Sequence, residues 1–132
     1  MLRIQSPLPD ELENLVHRTI GCCIAVHRVL GPGLLESICS KAVCLELLAA
    51  GIPFEAEKHV PVTYRGQLLC HQRLDLVIAD KVVLEIKSID RLAPVHQAQL
   101  LSYLRISGLS VGLLINFNVP TLQSGIKRIV LT

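Results

Sequence analysis

The 132-residue sequence predicts an α/β or α+β fold in which helices flank a mixed β-sheet. Three observations predict it. Two segments with apolar residues at helical spacing come first, three strand-like segments follow, and a further helix leads into a continuous apolar run. No long linker interrupts this order, so we expect one domain over residues 1–132. The predicted order is ααβββαβ, with a candidate edge strand in the tail.

Two helices are predicted before the first strand. DELENLVHRTIGCCIAVHRVL, residues 10–30, has apolar residues at helical spacing and acidic residues in its first turn. The sequence Gly31-Pro32-Gly33 ends it. The second helix is expected from about Leu34 to Ala50, where a Gly-Ile-Pro sequence stops it.

The pattern then changes to that of strands, returns to a helix, and ends with strands. A Gly-Gln turn separates the first two strands, a short turn at Asp80 precedes the third, and Pro94 opens the helix. The continuous apolar run after Gly108 is typical of a fully buried strand. The expected elements are strands HVPVTYRG (59–66), QLLCHQRLDLVIA (67–79) and KVVLEIKS (81–88), helix PVHQAQLLSYLRIS (94–107), strand VGLLINF (111–117) and edge strand IKRIVLT (126–132).

Composition excludes several classes of protein. The N-terminus lacks the apolar core of a signal peptide, and no uncharged apolar run reaches the ~18 residues of a membrane span, so we expect a soluble, cytoplasmic protein with no membrane partner. The five cysteines form no CxxC motif, which indicates reduced, mostly buried thiols. Aromatic residues are only 3%, which argues against a platform that stacks single-stranded bases.

Three charged residues interrupt the apolar second and third strands. Asp75, Glu85 and Lys87 lie inside these strands, although charged side chains are seldom buried without a partner or ligand. Glu85 and Lys87 are two residues apart and share one face. A turn of odd length at Asp80 places Asp75 opposite Glu85 on that face, whereas a two-residue turn separates the carboxylates. We predict the odd-length turn, or a bulge that restores the same parity.

With that register, two carboxylates and one ammonium group converge. Adjacent carboxylates repel each other, and a divalent cation between them removes the penalty. Oxygen ligands with open positions suit Mg²⁺ or Mn²⁺, which bind through one or two carboxylates plus a phosphate. The alternative is an ordinary ion pair of Lys87 with Glu85 or Asp75 on an exposed strand, and the spacing alone does not decide between the two.

This arrangement resembles a known pattern. Asp75, Glu85 and Lys87 form D-x9-E-x-K on a hairpin, which is similar to the PD-(D/E)xK nuclease superfamily. GPGLLESIC resembles the signature of the GxxExxY protein family of that superfamily, with Gly33 and Glu36 in place. HQAQLLSYLRISGLSVGLLINFN also resembles that family, and QLLSY, residues 99–103, matches a QxxxY element of the superfamily's recombination-exonuclease branch.

The resemblance implies a restriction-endonuclease-like α/β core and a set of site residues. It assigns the metal carboxylates to Asp75 and Glu85, with Glu36 as a third from a helix, and the catalytic lysine to Lys87. Gln99 and Tyr103 would position the lysine, a water or a phosphate. On the residues alone, Glu36 equally suits the positive end of a helix dipole, and Tyr103 equally suits a core position.

Two residues depart from the pattern. Leu74 stands where the superfamily has its leading proline, which weighs little. Cys39 stands where the GxxExxY family has tyrosine, and a thiol is shorter and a weaker hydrogen-bond donor. Loss of that tyrosine impairs the site if its hydroxyl is catalytic, and leaves only a packing change if it is structural. Because Asp75, Glu85 and Lys87 are present, we favour the packing interpretation.

Four basic residues are candidates for nucleic-acid contacts. His71 and Arg73 alternate with Asp75 along one strand, and Arg65 lies near the preceding turn, so we expect all of them on the Asp75 face. His96 is three residues before Gln99 and shares its helix face. These side chains suit phosphate contacts, although a solvated basic rim explains them equally well.

The expected function is a Mg²⁺- or Mn²⁺-dependent nuclease that hydrolyses nucleic acid, with DNA favoured over RNA, through a metal-activated water. A homodimer is compatible with so small a domain. The alternative from another class is a catalytically inactive module that binds nucleic acid or protein. A third reading is a hydrolase of small phosphodiesters.

Overall fold

A five-stranded mixed sheet with helices on both faces forms the protein, as the computed structural model of residues 8–131 shows. The strand order is β1-β2-β3-β4-β5, and the expected α/β class is confirmed. The elements are α1 (Asp10–Leu30), α2 (Glu36–Ala49), β1 (Phe54–Tyr64), β2 (Gln67–Ile78), β3 (Val82–Lys87), α3 (Pro94–Ser107), β4 (Val111–Asn116), a 3-10 turn (Leu122–Gly125) and β5 (Ile126–Val130).

One parallel pair makes the sheet mixed. β1–β2, β2–β3 and β4–β5 are antiparallel, whereas β3 and β4 run parallel. Parallel neighbours need a long crossover, and α3 supplies it. β5 forms the predicted edge strand beside β4. None of the helices within residues 8–131 combines the length and apolarity that crossing a bilayer requires.

Two predicted boundaries are wrong. α2 begins at Glu36 instead of Leu34, because Gly33 takes φ +99° and Leu35 remains extended before the helix starts. β1 begins at Phe54 instead of His59, because Phe54 pairs with Ile78 of the buried strand β2. The charged residues at the start of β1 hide this pairing in the sequence, since strand formation there depends on the neighbouring strand.

The sheet buries apolar side chains on both faces. Leu76, Leu84 and Ile86 pack into the cluster that includes residues of α1 and α2, whereas Val77 and Val83 pack into the cluster that includes residues of α3. Burial on both faces explains why β3 and β4 are nearly continuous apolar runs. A charged side chain on β3 therefore lies in the interior unless the strand end exposes it.

The contact between α3 and β4 is close. A Cβ atom added at Gly112 of β4 would lie 2.9 Å from the side chain of Leu100, so Leu100 would have to shift if any other residue stood there. α3 ends at Gly108, whose φ of +74° closes the last turn. α3 is thereby fixed over the face of the sheet on which Val77 and Val83 lie.

β1 and β2 extend beyond the rest of the sheet as a hairpin. The residues on both sides of the turn are exposed, including Tyr64 and Leu68, and the ladder has an irregularity between Val62 and Thr63. The turn itself contains Arg65 at φ +52° and Gly66 at φ +78°. This hairpin points in the direction in which β3 ends, because β2 and β3 are antiparallel.

Candidate active site

Asp75 and Glu85 lie opposite each other where β2 and β3 separate. The ladder between the two strands pairs Ile78 with Val82 across the loop 79–81. The predicted odd-length turn is therefore confirmed. Following this register past the last ladder pair, the next position joins Asp75 to Glu85. The length of the hairpin turn thus sets which charged residues meet.

Each of the two carboxylates accepts a hydrogen bond from the opposite strand. The backbone N–H of Asp75 donates to Oε1 of Glu85 at 3.1 Å, and the backbone N–H of Ile86 donates to Oδ2 of Asp75 at 3.0 Å. These bonds replace the backbone ladder at this point. The side chains are thus held between the strands by backbone donors on both sides, which fixes their positions.

The pair carries an electrostatic penalty. Glu85 is only 5% exposed. Its burial raises the pKa of Glu85 to about 8, and the neighbouring Asp75 carboxylate adds to the rise. The backbone N–H of Asp75 and the charge of Lys87 act in the opposite direction. The proximity of the two carboxyl groups therefore favours a state in which one of them carries a proton.

A divalent cation fits these donors in place of that proton. Carboxylate oxygens are the ligands that Mg²⁺ and Mn²⁺ prefer, and Mg²⁺ commonly uses only one or two protein carboxylates beside substrate phosphates. A positive charge between Asp75 and Glu85 would lower the cost of keeping both ionised. Within residues 8–131, no three His, Cys, Asp or Glu side chains are grouped so as to hold a metal ion. The carboxylates of Asp75 and Glu85 are therefore the ligands that suit a divalent cation here.

Lys87 lies on the same face of β3 as Glu85. It is half-buried at the end of the strand, and its positive charge favours the ionised form of Glu85. Its backbone carbonyl accepts a hydrogen bond from the N–H of Phe117 at 2.8 Å, which anchors the strand end to the segment after β4. The ammonium group of Lys87 thus places a positive charge near the carboxylate pair.

Tyr103 of α3 belongs to the same neighbourhood. Burial raises the pKa of Tyr103 above its usual range, and the charges of Glu85 and then Asp75 raise it further. Nε2 of Gln72 donates to the Tyr103 hydroxyl at 3.3 Å. Gln99 is exposed one turn earlier on α3. The structure thus brings Tyr103 near the pair and leaves the side chain of Gln99 exposed on the surface of α3.

Glu36 stands at the start of α2 and is exposed. The segment before it is fastened to the end of β3, because the hydroxyl of Ser88 donates to the carbonyl of Leu34 at 2.5 Å. This bond brings the N-terminus of α2 next to the residue that follows Lys87. Among the residues that the structure describes, Glu36 does not form a three-residue metal-binding group with Asp75 and Glu85. Its role as a third ligand stays a prediction.

Asn116 fixes the loop after β3. It is 1% exposed, its Oδ1 accepts from the N–H of Ile89 at 3.1 Å, and its Nδ2 donates to the carbonyl of Ile89 at 2.9 Å. Oδ1 also accepts from the N–H of Asn118. A buried amide that bonds both backbone groups of one residue holds that residue in place. The connection from Lys87 to α3 is thereby tied to β4.

Cys39 packs in the core. It is 1% exposed within the cluster that joins α1 and α2 to the sheet. Burial raises the pKa of the Cys39 thiol, and the Glu36 carboxylate contributes to the rise. A side chain in this position fills space between helix and sheet, which supports the packing interpretation of the missing tyrosine.

The predicted common face for Asp75, His71 and Arg73 is wrong. Gln72 reaches Tyr103 of α3, and Leu74 packs in the α3-side cluster, so Arg73 between them points to the opposite side of the sheet. The strand alternation breaks at Asp75. The neighbouring residue of β1, Glu57, has φ +55° and no place in the ladder, which is the signature of a local irregularity.

The remaining basic candidates lie apart from the carboxylate pair. Arg65 is exposed in the hairpin turn, and His71 is exposed on β2. Nδ1 of His96 accepts a hydrogen bond from the N–H of Ala93 at 2.8 Å and so caps its own helix. His96 is half-buried there, and only its other ring nitrogen remains for a ligand. Phosphate contacts by these residues stay predictions.

Three positioning residues escape the sequence patterns. Gln72, Ser88 and Asn116 each bond to a segment distant in the chain, and spacing along one element does not reveal such contacts. One signal was present for Asn116. It is a polar residue at the end of a continuous apolar strand, and buried amides of this kind are seldom left without partners.

Comparison with known families gives one match. A sequence model of the PD-(D/E)XK nuclease superfamily matches residues 13–129. The matched range includes the Asp75–Glu85 pair, Lys87 and the elements that position them. Neither curated proteins nor solved structures gave a match.

Proposed function

This chain belongs to the PD-(D/E)XK nuclease superfamily, and we propose that it is a metal-dependent nuclease that hydrolyses phosphodiester bonds of nucleic acid, with DNA favoured over RNA. The observation that carries the proposal is the reciprocal bonding of Asp75 and Glu85 across the opening between β2 and β3. Within the superfamily we assign the chain to the GxxExxY family, on the strength of Gly33 and Glu36.

Asp75 and Glu85 hold the cation in this proposal. Each presents a carboxylate whose orientation is fixed by a backbone N–H, so binding requires little rearrangement. A bound Mg²⁺ or Mn²⁺ supplies Lewis-acid activation of the attacking water and neutralises charge on the phosphate. Burial and the Asp75 carboxylate raise the pKa of Glu85, whereas the charge of Lys87 lowers it, and a bound cation would act in the same direction as Lys87.

Lys87 supplies the second positive charge. Its ammonium group lies at the edge of the pair, where it orients the attacking water or stabilises the negative charge that develops on the phosphate oxygens. Tyr103 lies near the pair on the α3 side, and the family resemblance assigns Gln99, one turn earlier on the same helix, to the same site. The family resemblance also assigns Glu36 to the site, and the Ser88–Leu34 bond brings the start of α2, where Glu36 lies, next to the end of β3.

A catalytically inactive module is the alternative, and two observations favour it. Among the described residues, Glu36 does not form a metal-binding group with Asp75 and Glu85. In addition, Cys39 stands where the GxxExxY family has tyrosine. Such a module would bind nucleic acid or protein through the same fold without hydrolysing it. The two functions differ in one measurable property, the metal-dependent loss of a phosphodiester bond.

The test is a cleavage assay on single-stranded, duplex and branched DNA and on RNA, with Mg²⁺, Mn²⁺ or EDTA. We expect cleavage that needs the metal and falls at least about 100-fold in Asp75→Asn and in Lys87→Ala, since each removes a charge from the reacting centre. Glu36→Gln tests the third carboxylate in the same way.

Matched controls remove the same charges elsewhere. Asp10→Asn on α1 and Lys127→Ala on β5 change exposed residues and should retain wild-type rates. Equal cleavage by the wild type, Asp75→Asn and Lys87→Ala would reveal a contaminating nuclease and refute the proposal. Binding of DNA without any metal-dependent cleavage would establish the inactive module instead.

A further inference from the structure

The end of the β1–β2 hairpin forms a basic arm, which we define as residues 58–73. It extends past the level at which Asp75 and Glu85 meet, and most of its side chains are exposed. No acidic residue occurs in it, whereas Lys58, Arg65 and Arg73 are permanently charged and His59 and His71 add two further ring N–H donors. The arm therefore has a local positive charge that the net charge of +2 does not reveal.

Three of these basic side chains gather on one face of the arm. His59 pairs directly with Arg73, and His71 pairs with Pro61 two positions further along the same face. Since Gln72 and Leu74 point towards α3, this face points to the other side of the sheet, where α2 begins at Glu36. The basic face of the arm and the start of α2 thus lie on one side of the sheet.

The charges on this face are poorly compensated by the protein. Arg73 contacts Glu57 at 3.4 Å, and both side chains are largely exposed, so the pair contributes little. Lys58 is already paired, with Glu55 and with Asp80. Arg73 carries the charge of this face, and the rings of His59 and His71 beside it can donate hydrogen bonds to phosphate oxygens. The face consequently suits a row of phosphates.

We propose that the basic face of this arm binds the phosphate backbone of a duplex nucleic acid. The inference rests on the proposed nuclease function and adds where, and in which form, the nucleic acid is held. Arg65 contacts the backbone from the turn, and Arg73, His59 and His71 contact it from the strands.

The shape of the arm favours a duplex over a single strand. Gln67 to Arg73 spans about 20 Å at ~3.3 Å per residue, which matches about six base pairs of a helix at 3.4 Å each. A two-stranded β-ribbon also fits the width of the major groove. Single strands are gripped by several stacked aromatic rings, whereas the arm contains one Tyr, Phe or Trp residue, Tyr64.

The experiment compares two double variants of the full chain in EDTA, by fluorescence anisotropy with labelled 20-base-pair duplexes of two unrelated sequences. Arg65→Gln/Arg73→Gln removes two charges from the arm. Arg28→Gln/Lys127→Gln removes two exposed charges from α1 and β5. We expect the arm variant alone to weaken binding about tenfold or more on both sequences, and to reduce the slope of log K against log salt by about 2.

Several results would overturn the inference. One is an arm variant that binds like the wild type, and another is an equal loss in the control variant. A loss restricted to one of the two sequences would show base recognition in place of backbone binding. A single-stranded 20-mer bound as tightly as the duplex, with the same loss in the arm variant, would contradict the choice of a duplex.

The outcomes also separate this inference from the nuclease proposal. Asp75→Asn is measured beside the arm variant, for binding in EDTA and for cleavage with Mg²⁺. Asp75-dependent cleavage together with normal binding by the arm variant refutes the arm alone. Arm-dependent binding of a duplex that is never cleaved refutes the nuclease proposal and leaves the arm in place. Circular dichroism confirms that each variant is folded.

Discussion

Replacing Glu85 by glutamine should change how the stability of the protein depends on pH. In the folded protein, burial and the Asp75 carboxylate raise the pKa of Glu85 to about 8, whereas an exposed glutamate in the unfolded chain titrates near 4.3. The folded state therefore binds the proton more tightly than the unfolded state. The resulting stabilisation is fully present below the unfolded pKa and is lost as the pH rises towards the folded pKa.

The size of the effect follows from this difference. One group that holds its proton only in the folded state changes the free energy of unfolding by about 1.4 kcal/mol per pH unit. Between pH 5 and 8, the wild type should lose roughly 4 kcal/mol from Glu85. Glutamine has a similar shape and no charge, its carbonyl can still accept from the N–H of Asp75, and its amide can donate to the Asp75 carboxylate.

The assay is urea unfolding followed by circular dichroism, since the chain has no tryptophan. Glu85→Gln should match the wild type near pH 5 and be several kcal/mol more stable at pH 8, by about the ~4 kcal/mol that the wild type loses. The control Glu11→Gln, an exposed carboxylate on α1, should follow the wild-type curve. Parallel curves for the wild type and Glu85→Gln would refute the reasoning. Addition of Mg²⁺ should flatten the wild-type curve at high pH.

Three further substitutions test the positions around the site. Asn116→Ala leaves the N–H of Ile89 without its buried acceptor and leaves the carbonyl of Ile89 with Asn118 alone as side-chain donor, so it should cost about 1–3 kcal/mol in urea unfolding; an unchanged midpoint would show that Asn116 does not hold this loop. Ser88→Ala removes the bond to Leu34 and should cost about 1 kcal/mol while lowering the cleavage rate more than substrate binding, and equal rates would show that the bond does not position α2. Cys39→Tyr restores the family residue but overfills a buried position, so it should destabilise by about 1–3 kcal/mol; higher stability would contradict the packing interpretation.

The central part of the site follows from the sequence. Asp75, Glu85 and Lys87 stand out because each charge interrupts an apolar strand, and the parity of the turn then decides which of them meet. These are local properties of one hairpin, and the structure has the predicted register. The order of helices and strands is similarly local, since each element has its own periodicity and its own glycine or proline stops.

The surroundings of the site depend on contacts that no local pattern contains. Arg73 leaves the face of Asp75 because β1 has an irregularity at Glu57, on a different strand. Ser88 and Asn116 act through Leu34 and Ile89, which are distant from them in the chain. Strand alternation is a reliable rule only within one uninterrupted ladder, and the interruption here coincides with the candidate site.

The most direct test of the account is the position of Mn²⁺ in a crystal of this protein, located by its anomalous scattering. The account predicts an ion bound by the carboxylates of both Asp75 and Glu85, at about 2.0–2.2 Å from their oxygens. The same soak of Asp75→Asn crystals should show no ion there. An ion bound elsewhere in the wild type, with none at Asp75 and Glu85, would contradict the central claim that this pair is a metal site.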